Sequence, residues 1–340
     1  MINFIFYNDC PSCEAPYEKE CYGKWVSDFK RHLFFCWDKI DSYISTSGKK
    51  HTVCLLGFVS NLGHHLADEL SAVQKLLNTG DVNRISNFIS GSYDYFKVGD
   101  IFPEISINNL TTKNSMQIFR VILENNCFAF RLCHNGPIQE KLAERIYKTS
   151  RNKCDPSFLQ RAEESRSYWP LIWVTLRSHN RVWLSQKDGL VNIINLLYKD
   201  FPDLGLIFDG VPAEKQLMED IQRLLTHGIV TYNALDCKIH ETIVWAYTID
   251  LFIAPFGNGT NFTSIVNKAG VIHTHSKWMR SEPFCANRRE NCALATPVRT
   301  KYDSSDDVFT CNYEVDWKDI YNATVKLIRK SEPENVNKEA

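Results

Sequence analysis

The chain has 340 residues, 44% of them apolar or aromatic, enough to bury the cores of two domains. With 39 basic against 40 acidic side chains and a formal net charge of -1, it carries no global field that would recruit nucleic acid, so any anion must be held locally. The opening "MINFIFYNDCPSC" lacks the basic start, long apolar stretch and small-residue cleavage site of a signal peptide, and no window approaches the roughly 20 apolar residues of a membrane span. We therefore read a cytoplasmic protein whose association with the inner membrane face would be peripheral.

Cys10, Cys13, Cys21 and Cys36 gather near the start. "CPSC" has the spacing of half a zinc site, but no second pair follows, so these read as free thiols and no metal is expected. "HTVCLLGFV" then predicts a strand and "GHHLADELSAVQKLLNTG" a helix stopped by Gly80. "RISNFIS" and "NCFAFRLC" are further strand candidates, and "PIQEKLAERIYK" reads as a helix with proline at its first position. The polar stretch 151–168 has no strong period and is read as the boundary between domains. Beyond it come a strand at 171–176, a helix at 187–201 and a strand at 204–210. A helix over 213–228 follows, with Leu217, Ile221, Leu224 and Leu225 on one face and Gly228 as its stop. After "IVTY" come the helix "IHETIVWAYT", the strand "DLFIAPF", a helix over 261–268 and the strand "GVIHTH". Short apolar runs alternating with amphipathic segments are what a parallel sheet requires. The expectation is an acceptor-side α/β domain over 1–155 and a Rossmann-like domain of about five strands over 165–316. A helix over 317–330 would lean back on the first domain, ahead of a disordered tail over 331–340.

In open α/β sheets, ligands bind beyond the carboxyl ends of the strands. After "DLFIAP", the loop Phe256, Gly257, Asn258, Gly259, Thr260, Asn261 leads into a helix whose first-turn amides have no partner within it. Such amides form an anion site, and the glycines let backbone approach a phosphate closely. Thr260 or Asn261 could be a plain N-cap, but a cap explains neither glycine. The loop is not a Walker loop, because the Gly-Lys-Ser/Thr ending is missing. In "WVTLRSHNRVW", Arg177 and Arg181 fall at the end of the strand that opens the second domain, and a guanidinium fork matches phosphate oxygens with two charged hydrogen bonds.

In "LLGFVSNLGHHLADEL", a helix starting near Gly63 puts Leu62, Leu66, Leu70, Val73 and Leu77 on a buried stripe and His64 and Asp68 one turn apart opposite it. A helix N-terminus disfavours positive charge, as a general base requires; the alternative is a solvated polar face. Glu241 is either a favourable acid in a first helical turn or an acceptor for a ribose, and His240 beside it is a weaker candidate. Asp209 follows a strand, and His273, His275 and Lys277 follow another. The two alternating histidines share a face, as metal ligands do, but no third ligand at suitable spacing supports a metal.

Taken together, these segments resemble the two-Rossmann glycosyltransferase architecture called GT-B. The second half is similar to glycosyltransferase family 61 and its relatives, in the arginine-bearing strand "VTLRSHNR" and the late glycine-rich turn "IDLFIAPFGNGTNF". "LLGFVSNLGHHLADEL" resembles the "G-x-x-x-N-x-x-x-H" turn of O-fucosyltransferase-like enzymes. The likeness covers residues 50–75 and 170–275. It implies two Rossmann-like domains facing each other across a cleft and a metal-independent transferase of bacterial surface polysaccharide, capsule or lipooligosaccharide synthesis. That transferase moves a sugar from a nucleotide-sugar donor, its co-substrate in place of a cofactor, to a glycan hydroxyl. On this resemblance Arg177, Arg181, Gly257, Asn258, Gly259, Thr260 and Asn261 hold the donor phosphate, Asp209 and Glu241 hold the nucleotide, and His64 or Asp68 takes the acceptor's proton. Two rivals fit the same residues: a pyruvyl-type transferase fed by phosphoenolpyruvate, and a glycan- or nucleotide-binding protein without turnover.

Overall fold

The computed structural model describes residues 27, 30–58, 60–109, 115–132, 138–257, 265–274, 295–298, 302–303 and 312–331. Their contacts divide into two compact units, one of Met1–Ser60, Leu76–Asp94 and Glu104–Leu132, the other of Asn61–Lys75, Tyr95–Pro103 and Cys133–Ala340.

In the first unit, helix α1 (Trp37–Ser45) precedes strand β1 (His51–Leu56), followed by β2 (Asn87–Ser90), β3 (Ile107–Asn109), helix α2 (Ser115–Glu124) and β4 (Cys127–Arg131). All strands are parallel, in the order β3-β2-β1-β4. The β-branched and aromatic residues of "HTVCLL" and "NFIS" place Val53, Leu56, Phe88 and Ile89 inside. The helical run between β1 and β2, made of Leu62–His64, a π-helical turn His65–Leu70 and Ser71–Thr79, belongs as far as Lys75 to the second unit.

From Glu140 on, the second unit runs through helices α3 (Glu140–Lys153) and α4 (Pro156–Glu164), then β5 (Leu171–Thr175), α5 (Gln186–Asp200), β6 (Gly205–Asp209), α6 (Lys215–Gln222) and β7 (Val230–Asn233). It continues through α7 (Ile239–Thr248), β8 (Leu251–Pro255), β9 (Ala269–His273), β10 (Ala295–Val298), the two-residue strands β11 (Tyr302–Asp303) and β12 (Tyr313–Glu314), and α8 (Trp317–Ser331). The six-stranded sheet runs β10-β9-β8-β5-β6-β7, all parallel. Counted from β5 this is the doubly wound 3-2-1-4-5-6 order, with its topological switch point between the paired strands β5 and β8.

Every residue of β5, β6 and β8 is buried, as expected of a parallel sheet covered on both faces. One face packs Leu190, Ile193 and Leu197 of α5 with Ile320 and Ile328 of α8. The other packs Phe158 of α4 and Val244 and Trp245 of α7 over Trp173, Ile207 and Phe252. Each such side chain contributes roughly 2 kcal/mol of burial.

Several elements differ from their sequence reading. The sheet has a sixth strand, β10, beyond the five expected. The stretch 151–168 is helical, holding the end of α3 and all of α4. Helix α3 starts at Glu140 after an extended Gln139, and Pro137, read as its opening residue, lies outside the described residues. Helix α6 stops at Gln222, which leaves Leu224 52% exposed instead of on a buried face. The terminal helix finds its described partners in the second unit, on α5 and β9, because its buried residues Ile320, Thr324 and Ile328 fill that sheet's core. Residues 332–340, read as a tail, lie outside the described residues.

Candidate functional site

Arg177 lies two residues beyond the end of β5, and its main chain is held on both sides by the Gln186 side chain. Its amide donates to Gln186 Oε1 at 3.1 Å, and Gln186 Nε2 donates back to the Arg177 carbonyl at 2.8 Å. Its Nε donates to the carbonyl of Asn180 at 2.7 Å and its Nη2 to Asn180 Oδ1 at 2.8 Å. Burial, and then the neighbouring cation Arg181, pull its pKa from 12.5 down to about 10, so it stays charged at neutral pH. Arg181 adopts a left-handed backbone with φ 49.

Beyond the adjacent strand β8, Gly257 has φ +149, and a Cβ built there would stand 2.8 Å from Arg177 Nη1 and 3.6 Å from Arg181 Nη2. The structure thus brings Arg177, Arg181 and Gly257 together at the switch point, as the strand-end argument requires. A side chain at 257 would enter the space of the guanidiniums and strain the backbone as well. Asn258, Gly259, Thr260 and Asn261 lie outside the described residues, as does the first half of the helix read over 261–268.

The loop between β5 and α5 is braced by residues that sequence reasoning passed over. Glu214, 1% exposed, accepts from Ser178 N at 3.0 Å and Ser178 Oγ at 2.8 Å through one oxygen, and from Val211 N at 2.7 Å through the other. This ties the loop after β5 to the one after β6. Asn312 Oδ1 accepts from Val182 N at 3.0 Å, and Glu314 accepts from Trp183 Nε1 at 2.9 Å, from Ser185 N at 3.1 Å and from Ser185 Oγ.

Asp209 is buried at the end of β6, where its carboxylate accepts from Thr175 Oγ1 at 3.0 Å, and Thr175 Oγ1 in turn accepts from Trp173 Nε1 at 2.9 Å. Burial raises its pKa to about 7 against those hydrogen bonds. Because the folded value lies above the unfolded one, the group costs nothing at low pH, and its penalty grows as pH rises from the unfolded value toward about 7, reaching the order of 4 kcal/mol. Asp209→Asn is therefore expected to gain stability relative to wild type between about pH 5 and about pH 8, read from urea midpoints at both. A constant difference across that range would place the titration elsewhere.

Asn61 caps the helical run after β1, its Oδ1 accepting from Gly63 N at 2.9 Å and His64 N at 3.2 Å. His64 Nδ1 lies 2.6 Å from Asp68 Oδ2, with the His64 side chain 52% exposed and that of Asp68 9%. The π turn changes the expected register. Residues 65–70 are all buried, so Asp68 is inside rather than opposite an apolar stripe, while Leu62 and Leu77 are only half-buried. One position further along, a second pair that the sequence did not single out, His65 Nδ1 and Glu69 Oε2, meets at 2.9 Å with both side chains buried and His65 stacked on Phe96.

Glu241 Oε2 accepts from Lys238 N at 2.8 Å, so the plain reading of a carboxylate capping its own helix is the one the backbone uses. His240 Nδ1 is 3.1 Å from Ser150 Oγ, and burial followed by Lys153 lowers its pKa. His273 is buried with Nδ1 2.8 Å from the Tyr313 hydroxyl, and burial drops its pKa to about 3, so it is neutral. His275 and Lys277 lie outside the described residues, as do Cys10, Cys13 and Cys21; Cys36 is a free, half-exposed thiol. Among the described residues no group of three or more His, Cys, Asp or Glu could hold a metal ion, and no helix is long and apolar enough to cross a membrane.

Two parallel sheets in doubly wound order, the second carrying paired arginines at its switch point, are Rossmann-like domains, and the fold is of the GT-B type. Two solved structures share it across their whole length. One is a glycosyl transferase of family 9 from Veillonella parvula, with TM-score 0.51, 10% identity, and 84% of this chain and 100% of that chain covered. The other is the E. coli ADP-heptose LPS heptosyltransferase II, with TM-score 0.53, 8% identity, and the same coverage. No family model matches the sequence, and no curated sequence matches it.

Proposed function

We propose that the protein is a glycosyltransferase that moves a sugar from a nucleotide-sugar donor to a hydroxyl of a bacterial surface glycan. The observation that carries this reading is the pair of guanidiniums beside Gly257 at the switch point of a doubly wound sheet. Arg177 and Arg181 hold the donor phosphate and stabilise negative charge on the departing nucleotide, the task a metal performs in other transferases. Gly257 and the loop residues Asn258, Gly259, Thr260 and Asn261 supply backbone to the same group. The two neighbours of like fold are named as glycosyl transferases, one of them an ADP-heptose LPS heptosyltransferase, which supports this reading of the chemistry.

His64 serves as the base that takes the acceptor's proton, through Nε2, while Asp68 on Nδ1 fixes the tautomer and orients the ring. His64→Ala is expected to lower kcat about a hundredfold with nucleotide affinity unchanged, and Asp68→Asn about tenfold. Steady-state transfer rates beside nucleotide titrations check this, and an unaffected kcat in His64→Ala removes the imidazole from the chemistry.

The reading as a whole is tested by thermal shift against UDP, GDP, CMP, ADP and their sugars, with phosphoenolpyruvate as a comparison. A nucleotide present at about 100 times its Kd adds about 2.7 kcal/mol to the folded state, a shift of several degrees. Stabilisation by phosphoenolpyruvate alone would point to ketal transfer, and nucleotide binding without product to a binding protein.

A further inference from the structure

We propose that Tyr313 is a positioning residue of the arginine site: it fastens the loop bearing Arg177 and Arg181 to the ends of β8 and β9, so that the two guanidiniums stay spread for a diphosphate. This rests on reading those arginines as phosphate ligands.

Tyr313 is fully buried and bonded along its whole length. Its amide donates to the Val182 carbonyl at 3.0 Å, and its own carbonyl accepts from Leu184 N at 2.9 Å, which brackets the residues directly after Arg181. Its hydroxyl lies 2.8 Å from His273 Nδ1 and donates to the His273 carbonyl at 3.3 Å. That carbonyl also accepts from Phe256 N at 3.0 Å, one residue before Gly257. A single residue therefore joins the loop after β5, through its main chain, to the end of β9, through its hydroxyl, and by way of the His273 carbonyl to the end of β8.

The pair is also electrically suited to this place. Burial raises the phenol far above its ordinary range and holds His273 at about 3, so both are neutral. They stiffen the site without adding a negative charge that would compete with a phosphate for the guanidiniums. Phenylalanine would fill the same space, so what the hydroxyl contributes is its bond to His273.

The test is titration calorimetry of the full chain with inorganic pyrophosphate and with inorganic phosphate, on wild type, Tyr313→Phe and Arg177→Ala, each with a thermal melt. Pyrophosphate must engage both guanidiniums, whereas phosphate can sit on one. Tyr313→Phe is expected to weaken pyrophosphate about tenfold and phosphate less than about twofold, with Tm within a few degrees of wild type. Equal loss for both anions, or no loss for either, overturns the proposal. If Tyr313→Phe melts early, His273→Met removes the imidazole's bond to the hydroxyl while leaving the carbonyl's, and must change the ratio in the same direction by a smaller factor. Should Arg177→Ala bind pyrophosphate as wild type does, or wild type not bind it, the phosphate-site reading itself fails; should Arg177→Ala lose it while Tyr313→Phe keeps the wild-type ratio, only the role of Tyr313 fails.

Discussion

Arg177→Ala is expected to lower kcat/KM for sugar transfer by about a thousandfold, roughly 4 kcal/mol of transition-state stabilisation, while the protein melts close to wild type. The loss is large because this cation is pre-organised. Gln186 holds its backbone from both sides and Asn180 holds its Nε and Nη2, so no reorganisation is needed as charge develops on the leaving group. Stability is spared because Arg177 is a partly buried charge lying beside another of the same sign, and removing it relieves desolvation and repulsion together. Arg177→Lys should recover only a small part of the activity, since an ammonium cannot reproduce the two-pronged guanidinium geometry. Steady-state kinetics with circular dichroism melts decide the matter. Turnover within a few fold of wild type would remove Arg177 from the mechanism.

Glu214→Ala should produce the largest loss of stability among the site's polar residues, about 3 kcal/mol, against about 1 kcal/mol for Glu214→Gln. The carboxylate is buried, accepts from Ser178 N, Ser178 Oγ and Val211 N on two loops, and has His179 Nδ1 3.5 Å from Oε1. Alanine leaves Ser178 N, Ser178 Oγ and Val211 N without that acceptor, whereas glutamine keeps one carbonyl oxygen. The alanine variant should also bind nucleotide more weakly, because the loop from Ser178 to Arg181 loses its tie to β6. Urea unfolding of the three proteins measures the first effect and nucleotide titration the second. A Glu214→Ala midpoint equal to wild type would mean that water replaces the carboxylate without penalty.

The parts of the fold that could be read in advance were those whose physics is local. "LIWVTL", "LGLIFDG" and "DLFIAPF" are continuous apolar runs, and such runs become the fully buried parallel strands β5, β6 and β8. The helix "IHETIVWAYT" was read with its observed ends. Strand β3 is three residues of Ile-Asn-Asn, too short and too polar to signal itself, and α1 begins with an exposed Trp37 that blurs its period. That Arg177, Arg181 and Gly257 come together could be expected because the rule about carboxyl strand ends needs only strand positions. Tyr313, Glu214 and Glu314 were missed because each matters through partners distant in sequence, and an isolated Tyr or Glu carries no signal. Glu241 shows the reverse case, a residue whose first-turn position accounts for the hydrogen bond it makes to Lys238 N.

Asn312 and Glu314 secure loop residues that precede them by 129 to 131 positions. At translation rates of about 5–20 residues per second, the arginine loop leaves the ribosome on the order of ten seconds before its anchors exist. The strands β5 to β9 can pair in that interval, whereas the bracket around Val182 and Leu184 cannot close. A nascent chain would therefore acquire its sheet first and its affinity for anions last, and no ligand could help it fold until synthesis had almost reached the final helix.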